Sequence, residues 1–366
     1  MTEAAAEFAR FLRFWADKEL RGYCPVYESI ARPLADDAAL LERVAHVAPR
    51  QKIVPVLLFA AVKSLVDREP TSPLGRIYAD GAGDPWPPFR DFLEERFDDV
   101  AELLRTRRTQ TNEVARASAT LLALGLAERR LGKPLALIEL GPSAGLNLLL
   151  DRFSYDYGGG RMAGDPASAV RLACETKGPL VPPIPARVPT IGFRCGIDLD
   201  PVDVTDEAQT RWLEACVWPG APARAERLRA ALALARREPP LLHRGSALEL
   251  LPAVLDAIPS DLGTCVVCTW MLAYLSEQER ATLADIVAGF AATRDVACVT
   301  AEFAGVSPWA PQAPRPDVVA DGRLATLLGM SICRDGAREV RALAWMHAHG
   351  TWIDWLDRES ALGLAL

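Results

Sequence analysis

The sequence predicts an α/β protein: a doubly wound, mainly parallel sheet with helices on both faces, preceded by a helical cap over residues 1–132. Three observations lead there. Apolar residues recur at helical spacing through most of the first 132 positions. Beyond Lys133 the chain instead sets short apolar runs between amphipathic segments, as strand–helix units do. The first such unit, KPLALIELGPSAGLNLLLD (133–151), joins the apolar run Leu135–Leu140 to a largely apolar helix from Leu146 to Leu150 through a turn of small residues. At 366 residues, half of them hydrophobic, the chain can bury one large or two modest cores. No apolar run approaches the roughly 18 residues a membrane span needs.

Within the cap, Phe8, Phe11, Leu12 and Trp15 recur three and four residues apart and give the first helix, which lacks the apolar centre of a signal peptide. Pro25 and Pro33 punctuate the next stretch of chain. ADDAALLERVAHVA and QKIVPVLLFAAVKSLV supply two more helical periods. TSPLGRIYADGAGDPWPPF, rich in Pro, Gly and Asp, reads as a loop, and FRDFLEERFDDVAELLRTR resumes the helix. The polar segment RTRRTQTNE (105–113) then breaks the periodicity, and Thr111 or Asn112 is the expected N-cap of the helix VARASATLLALGLAERRLG. Gln110 and Asn112 are also candidate substrate-binding residues, with Arg107 and Arg108 as anion contacts, if the cap folds this loop over the glycine turn.

The turn after Leu140 is the most informative stretch. Gly141 and Gly145 permit backbone angles closed to other residues, so the chain reverses sharply and a polar ligand can approach N–H groups at the start of the next helix. Three chemistries use such a turn. A dinucleotide fingerprint needs glycine at 141, 143 and 146, and only Gly141 complies. A nucleophile elbow, G-x-S-x-G, fits as Gly141-Pro142-Ser143-Ala144-Gly145, with Asp317 or Asp321 and His347 or His349 in the chain order a hydrolase requires. Such hydrolases place several strands before the elbow, where this chain has a long helical stretch. The third pattern is an acidic residue, any residue, then glycines at alternate positions. Glu139, Gly141, Ser143 and Gly145 follow it with one Gly-to-Ser change and resemble the first motif of S-adenosylmethionine-dependent methyltransferases. A carboxylate there suits a cationic, amine-bearing cofactor and has no evident use behind a nucleophilic serine.

Beyond the turn, Phe153, Tyr155 and Tyr157 alternate before three glycines and predict a hairpin-like insertion at about 152–190, ending in a proline-rich extended connection. Tyr155 is a candidate for the substrate entrance, with Asp156 and Asp165. Ile191–Ile197 is the next strand. It ends in GIDLDP, where Asp198 is the expected ribose ligand and a helix cap is the rival reading. LLHRGSALELL gives a strand and then the loop Gly245-Ser246-Ala247, where Ser246 and Ala247 would border an adenine. The buried strand Thr264–Thr269 leads into a turn from Trp270 to Tyr274. Thr269 and Trp270 fall on the cofactor side, with Asn147 of the glycine turn, while Tyr274 or Asn147 would contact the acceptor. A further strand ends in Glu302, and SICRDGAREVRALAWMHAHG reads as an antiparallel pair about Asp335 and Gly336. His347 and His349 would share a strand face without a third ligand, and the eight scattered cysteines, Cys265 and Cys268 included, read as reduced thiols, so no metal site is expected.

The segments QTNEVAR, ELGPSAGLNLLLDRFSYDYG, GDPAS, GIDLDPVDVTD, QTRWLEACVWP and HGTWIDWL together resemble an uncharacterised bacterial family, domain of unknown function family 2332, from about Leu12 nearly to the C-terminus. The resemblance implies a Rossmann-like, class I methyltransferase-type core over residues 133–366 behind a helical N-terminal region, and it brings no established activity. The expected function is methyl transfer from S-adenosylmethionine to a small molecule. The alternatives are a serine acyl hydrolase using Ser143 and a noncatalytic nucleoside-binding protein. A net charge of −7 argues against nonspecific nucleic-acid binding, no membrane partner is expected, and the protein is expected in the cytoplasm. No feature of the pattern specifies an oligomeric state.

Overall fold

The computed structural model describes residues 1–48, 54–110, 112–311 and 325–361. Two compact units emerge: Met1–Thr111 with Asp206–Glu226, and Asn112–Thr205 with Arg227–Val319 and Leu324–Leu366. In chain order the helices are α1 (Glu3–Trp15), α2 (Pro25–Asp36), α3 (Ala38–Val47), α4 (Val54–Val66), α5 (Pro73–Asp80), α6 (Trp86–Glu95), α7 (Phe97–Thr106), α8 (Ala117–Leu131), α9 (Glu207–Ala215), α10 (Pro222–Arg237), α11 (Ala247–Asp256), α12 (Glu277–Ala291) and α13 (Arg358–Ala361). The strands are β1 (Leu135–Leu140), β2 (Ser154–Asp156), β3 (Met162–Gly164), β4 (Arg171–Ala173), β5 (Glu175–Lys177), β6 (Ile191–Asp198), β7 (Leu241–Arg244), β8 (Gly263–Thr269), β9 (Val296–Glu302), β10 (Ala325–Arg334), β11 (Ala337–His347) and β12 (Trp352–Trp355).

The first unit is helical. Its core closes around Trp15, whose ring meets Phe59 edge-on at 5.1 Å and Trp218 at 5.5 Å, so the segment 206–226 completes a core begun by α1, α2 and α4. Two local readings change here. Pro33 lies inside α2 rather than ending it, because the burial of Ile30, Ala31 and Leu34 on one face outweighs the missing hydrogen bond. The stretch expected to be a loop contains α5, started by Ser72, whose side chain accepts from Gly75 N–H, and stopped by Gly81 at φ +71°.

The second unit carries a nine-stranded sheet in the order β5-β12-β11-β10-β9-β8-β1-β6-β7. Strands β7, β6, β1, β8 and β9 run parallel, and β10, β11 and β12 continue antiparallel. Alternation along β1 sorts the layers. Ala136, Ile138 and Leu140 enter a core with Leu251 and Leu255 of α11 and Leu283 and Val287 of α12. Leu135, Leu137 and Glu139 point to the opposite face, where α8 packs; a Cβ on Gly263, paired with Leu135, would lie 3.0 Å from Leu131. The architecture is thus mixed α/β with a large, mostly parallel central sheet and helices on both faces.

The insertion forms a three-stranded sheet, β3-β2-β4, and sends β5 to the edge of the large sheet beside β12. The helix expected after the glycine turn is a 3-10 helix, Leu146–Arg152. The chain leaves β1 toward β6 and β7, then returns to its other side for β8 and β9, so the strand order reverses at β1. Open α/β sheets bind ligands outside the carboxyl ends of strands at such a reversal.

Candidate functional site

The carboxyl ends of β1, β6 and β8 meet at that reversal. Gly141, Ser143 and Gly145 all have positive φ, at 73°, 54° and 68°, and the turn they form is tied to its neighbours through the backbone. Gly141 N–H donates to Ile197 O and Gly145 N–H to Pro142 O. Ser143 N–H donates to Asp198 Oδ2 at 2.8 Å, while Asp200 N–H donates to Asp198 Oδ1 at 2.9 Å. Asp198 therefore clamps the glycine turn to the end of β6. Burial raises its pKa, opposed by those two hydrogen bonds. Small residues are required here by packing: a Cβ on Gly141 would fall 2.5 Å from Met271 Cγ, and one on Gly145 2.7 Å from Pro240 Cγ.

The segment Asn112–Glu113 runs alongside this turn. Asn112 Nδ2 donates to Pro142 O at 2.6 Å, and Asn147 Nδ2 donates to Glu113 O at 3.4 Å. Asn112 does not cap the next helical segment. Glu113 does, its side chain accepting from Ala115 N–H at the start of a short 3-10 turn, Val114–Arg116, while Asn112 is drawn to the glycine turn and Thr111 lies outside the described residues.

Behind the turn lies a buried charged cluster. Glu113, Arg116, Glu139, Glu302, His347 and His349 are all buried. Arg116 Nε donates to Ala348 O at 2.8 Å, and its guanidinium stands 5.4 Å from the Trp270 ring. Glu302 Oε1 accepts from Met271 and Leu272 N–H at 2.8 and 3.0 Å and so fixes the turn after β8. That turn opens with Trp270 at φ +60°, a conformation that costs a bulky residue about 1–2 kcal/mol; Trp270 Nε1 is held by Thr326 Oγ1 at 3.1 Å. His349 Nδ1 lies 3.3 Å from Glu113 Oε2. Burial pushes Glu139 up to about 8, with the charge of Asp198 adding and Arg116 opposing. Burial likewise pushes Glu302 up to about 7 against its backbone donors and Arg116. Oxygen Oε2 of each is buried and has no hydrogen-bond partner among the described residues, and the same holds for Ser143 Oγ and Asn147 Oδ1.

The remaining sequence-derived candidates divide. Ser246 is the N-cap of α11, its hydroxyl accepting from Leu248 N–H, and Ala247 is the first residue of that helix. Thr269 closes β8, its carbonyl 3.5 Å from Arg116 Nη1. Tyr155 is fully buried, with its hydroxyl donating to Leu150 O at 2.6 Å, so it packs the small sheet instead of lining an entrance. Tyr274 is about half exposed in the turn after β8. Gln110 belongs to the first unit, and Asp317 and Asp321 lie outside the described residues. His347 ends β11 while His349 lies in the following turn, its N–H donating to His347 Nδ1 at 3.2 Å, so the two do not share a strand face. Among the described residues no group of three or more His, Cys, Asp or Glu is arranged to hold a metal ion, and no helix is long and apolar enough to cross a membrane.

Sequence reasoning does not place Glu113, Arg116 or Glu302 in the site. Glu302 carries a legible signal, an acid closing an apolar strand as Glu139 nearly closes β1. Glu113 and Arg116 have only their place in the polar lead-in to α8.

The family described as "Uncharacterized protein conserved in bacteria (DUF2332)" matches residues 9–355 of the chain. No curated protein matches it.

Proposed function

Since the chain belongs to this uncharacterised bacterial family, its chemistry is read from its own residues, and we propose that it binds S-adenosylmethionine and transfers its methyl group to a small molecule. The observation that carries this reading is Glu139: a buried carboxyl with an unpartnered oxygen, two residues before the glycine turn, at the strand reversal of a parallel sheet. A buried acid without a donor suits a cationic ligand. The parallel order β7-β6-β1-β8-β9, with β1 first in the chain and central, is the arrangement expected of a class I methyltransferase core, although β10 and β11 extend it as a simple hairpin.

In this reading Glu139 faces the ligand's charged end, and the backbone of Gly141, Ser143 and Gly145 gives close approach. Asp198 uses one lone pair on each oxygen for Ser143 and Asp200 N–H, which leaves acceptor capacity for ribose hydroxyls. Ser246, Ala247, Thr269 and Trp270 border the base, and Asn147 with its buried Oδ1 is offered to the cofactor or the acceptor. Asn112 and Glu302 hold the walls, one tied to Pro142 and the other to the 271–272 backbone. When bound, S-adenosylmethionine supplies a methyl group already activated on a sulfonium. The residues are then left to align the acceptor and to exclude water.

Calorimetric titration with S-adenosylmethionine and S-adenosylhomocysteine tests the reading, alongside Asp198→Ala. Micromolar binding that weakens at least tenfold in the variant is the expected result. No binding to folded protein rejects the cofactor.

One observation favours a serine hydrolase as the second reading: Ser143, the centre of G-x-S-x-G, is held at φ +54°. Its Oγ has no imidazole partner among the described residues. Esterase activity abolished by Ser143→Ala, with the fold intact, would reverse the order of the two. Binding without any turnover of either kind would leave the noncatalytic nucleoside-binding alternative.

A further inference from the structure

Three carboxyl groups are buried in the cluster behind the glycine turn, and two of them have partners suited to negative charge. Glu302 accepts two backbone N–H groups. Glu113 stands 3.3 Å from His349 Nδ1 and 4.0 Å from Arg227 Nη2. Glu139 differs: its Oε2 is closed to solvent and unpartnered, as in the other two, but no hydrogen bond from a described residue compensates for it elsewhere on the carboxyl group. The charged groups that act on it are Asp198 from β6 and Arg116 from the turn before α8, while Cys268 of β8 lies on the other face of the sheet with Leu140. Of these only Arg116 is cationic, and it is committed to the carbonyl of Ala348 and shared electrostatically with Glu302. A buried carboxylate without donors, next to a second acid, is a costly arrangement; the protonated form avoids the cost.

We propose that Glu139 is protonated in the ligand-free protein and exchanges that proton for the primary ammonium group of the bound ligand. The O–H bond of the carboxyl breaks with its electron pair left on oxygen, the proton passes to solvent, and the ligand's ammonium becomes the missing donor. The site is therefore a proton-exchanging cation site, and the buried position of Glu139, which pushes its carboxyl up to about 8, places the exchange near neutral pH. The inference rests on the cofactor reading above and adds to it which charge of the ligand Glu139 meets.

The probe is S-adenosylhomocysteine, which keeps the ammonium and has no methyl group to transfer. The full chain is titrated calorimetrically at neutral pH in two buffers of different ionisation enthalpy. Wild type is expected to release about one proton per ligand bound. Glu139→Gln is expected to release none and to bind more weakly, and adenosine, without an ammonium, is expected to release none from either protein. Infrared difference spectra of wild type supply a readout that needs no variant: the stretch of a protonated carboxyl is lost when S-adenosylhomocysteine is added. Binding with no proton release and no loss of that band overturns the exchange and leaves the cofactor reading standing. No binding at all overturns the cofactor reading, and the exchange with it.

Discussion

At the scale of the residue, a carboxyl group buried without a donor makes the folded state favour acid conditions. Glu139 is pushed up to about 8 in the folded chain, and Glu302 to about 7, whereas both return to an ordinary carboxyl value near 4.5 on unfolding. Between those values the native state holds protons that the unfolded state has released, so stability is fully present below the unfolded value and is lost as pH rises through the folded one. The urea midpoint of wild type should therefore fall on going from mildly acid to mildly alkaline solution. Glu139→Gln, which cannot ionise, should flatten that fall. A variant with the same slope as wild type would show that Glu139 is ionised throughout. Asp198 illustrates the other use of a carboxyl group, with one backbone donor on each oxygen, and its replacement by alanine leaves Ser143 N–H without its acceptor. Any loss of ligand binding in that variant is accordingly to be read against its melting temperature.

At the scale of the element, the β10–β11 hairpin turns on Asp335 at φ +51° and Gly336 at φ +76°, the pairing of positive φ angles that a two-residue hairpin turn requires. A side chain on Gly336 would meet no neighbour within 4 Å, so Gly336→Ala should cost only the backbone strain, about 1 kcal/mol, readable as a lower melting temperature. This turn was legible because Asp-Gly between alternating strands is a local signal. The parallel strands were legible for a similar reason: strands buried on both faces, as β1, β8 and β9 are, are nearly continuous apolar runs; β1, β6 and β8 begin and end within a residue of the expected positions, and β9 ends at Glu302 as expected. Helix α5 was missed because Pro, Gly and Asp dominate its surroundings, although Ser72, Pro73 and Gly81 supply an ordinary start and stop. The candidate site was only half legible. Its glycine turn and strand-end acids are encoded locally. The approach of Arg116 to Ala348 joins residues 232 positions apart, and no periodicity in either segment announces it.

At the scale of the molecule, the first unit is discontinuous. Its core takes Trp212, Cys216 and Trp218 from the segment 206–226, after the chain has already formed β1 and β6 of the other unit. A fragment ending at residue 111 lacks these side chains and exposes the faces of Trp15 and Tyr27 that they cover. Such a fragment is expected to retain helical circular dichroism and to melt without a cooperative transition, since losing buried aromatic rings costs about 3–5 kcal/mol each. A sharp melt would show that α1 to α7 suffice.

The same discontinuity orders events during synthesis. A ribosome adding about 5–20 residues per second needs roughly 5–20 s to pass from residue 111 to residue 206. For that interval the aromatic pocket around Trp15 is without its lid. Strand β1, the middle of the five parallel strands and the first strand of the sheet to emerge, must likewise wait for β6 on one side and then β8 on the other. The nascent chain therefore presents two incomplete apolar surfaces at once, and each is closed only by sequence still to be translated.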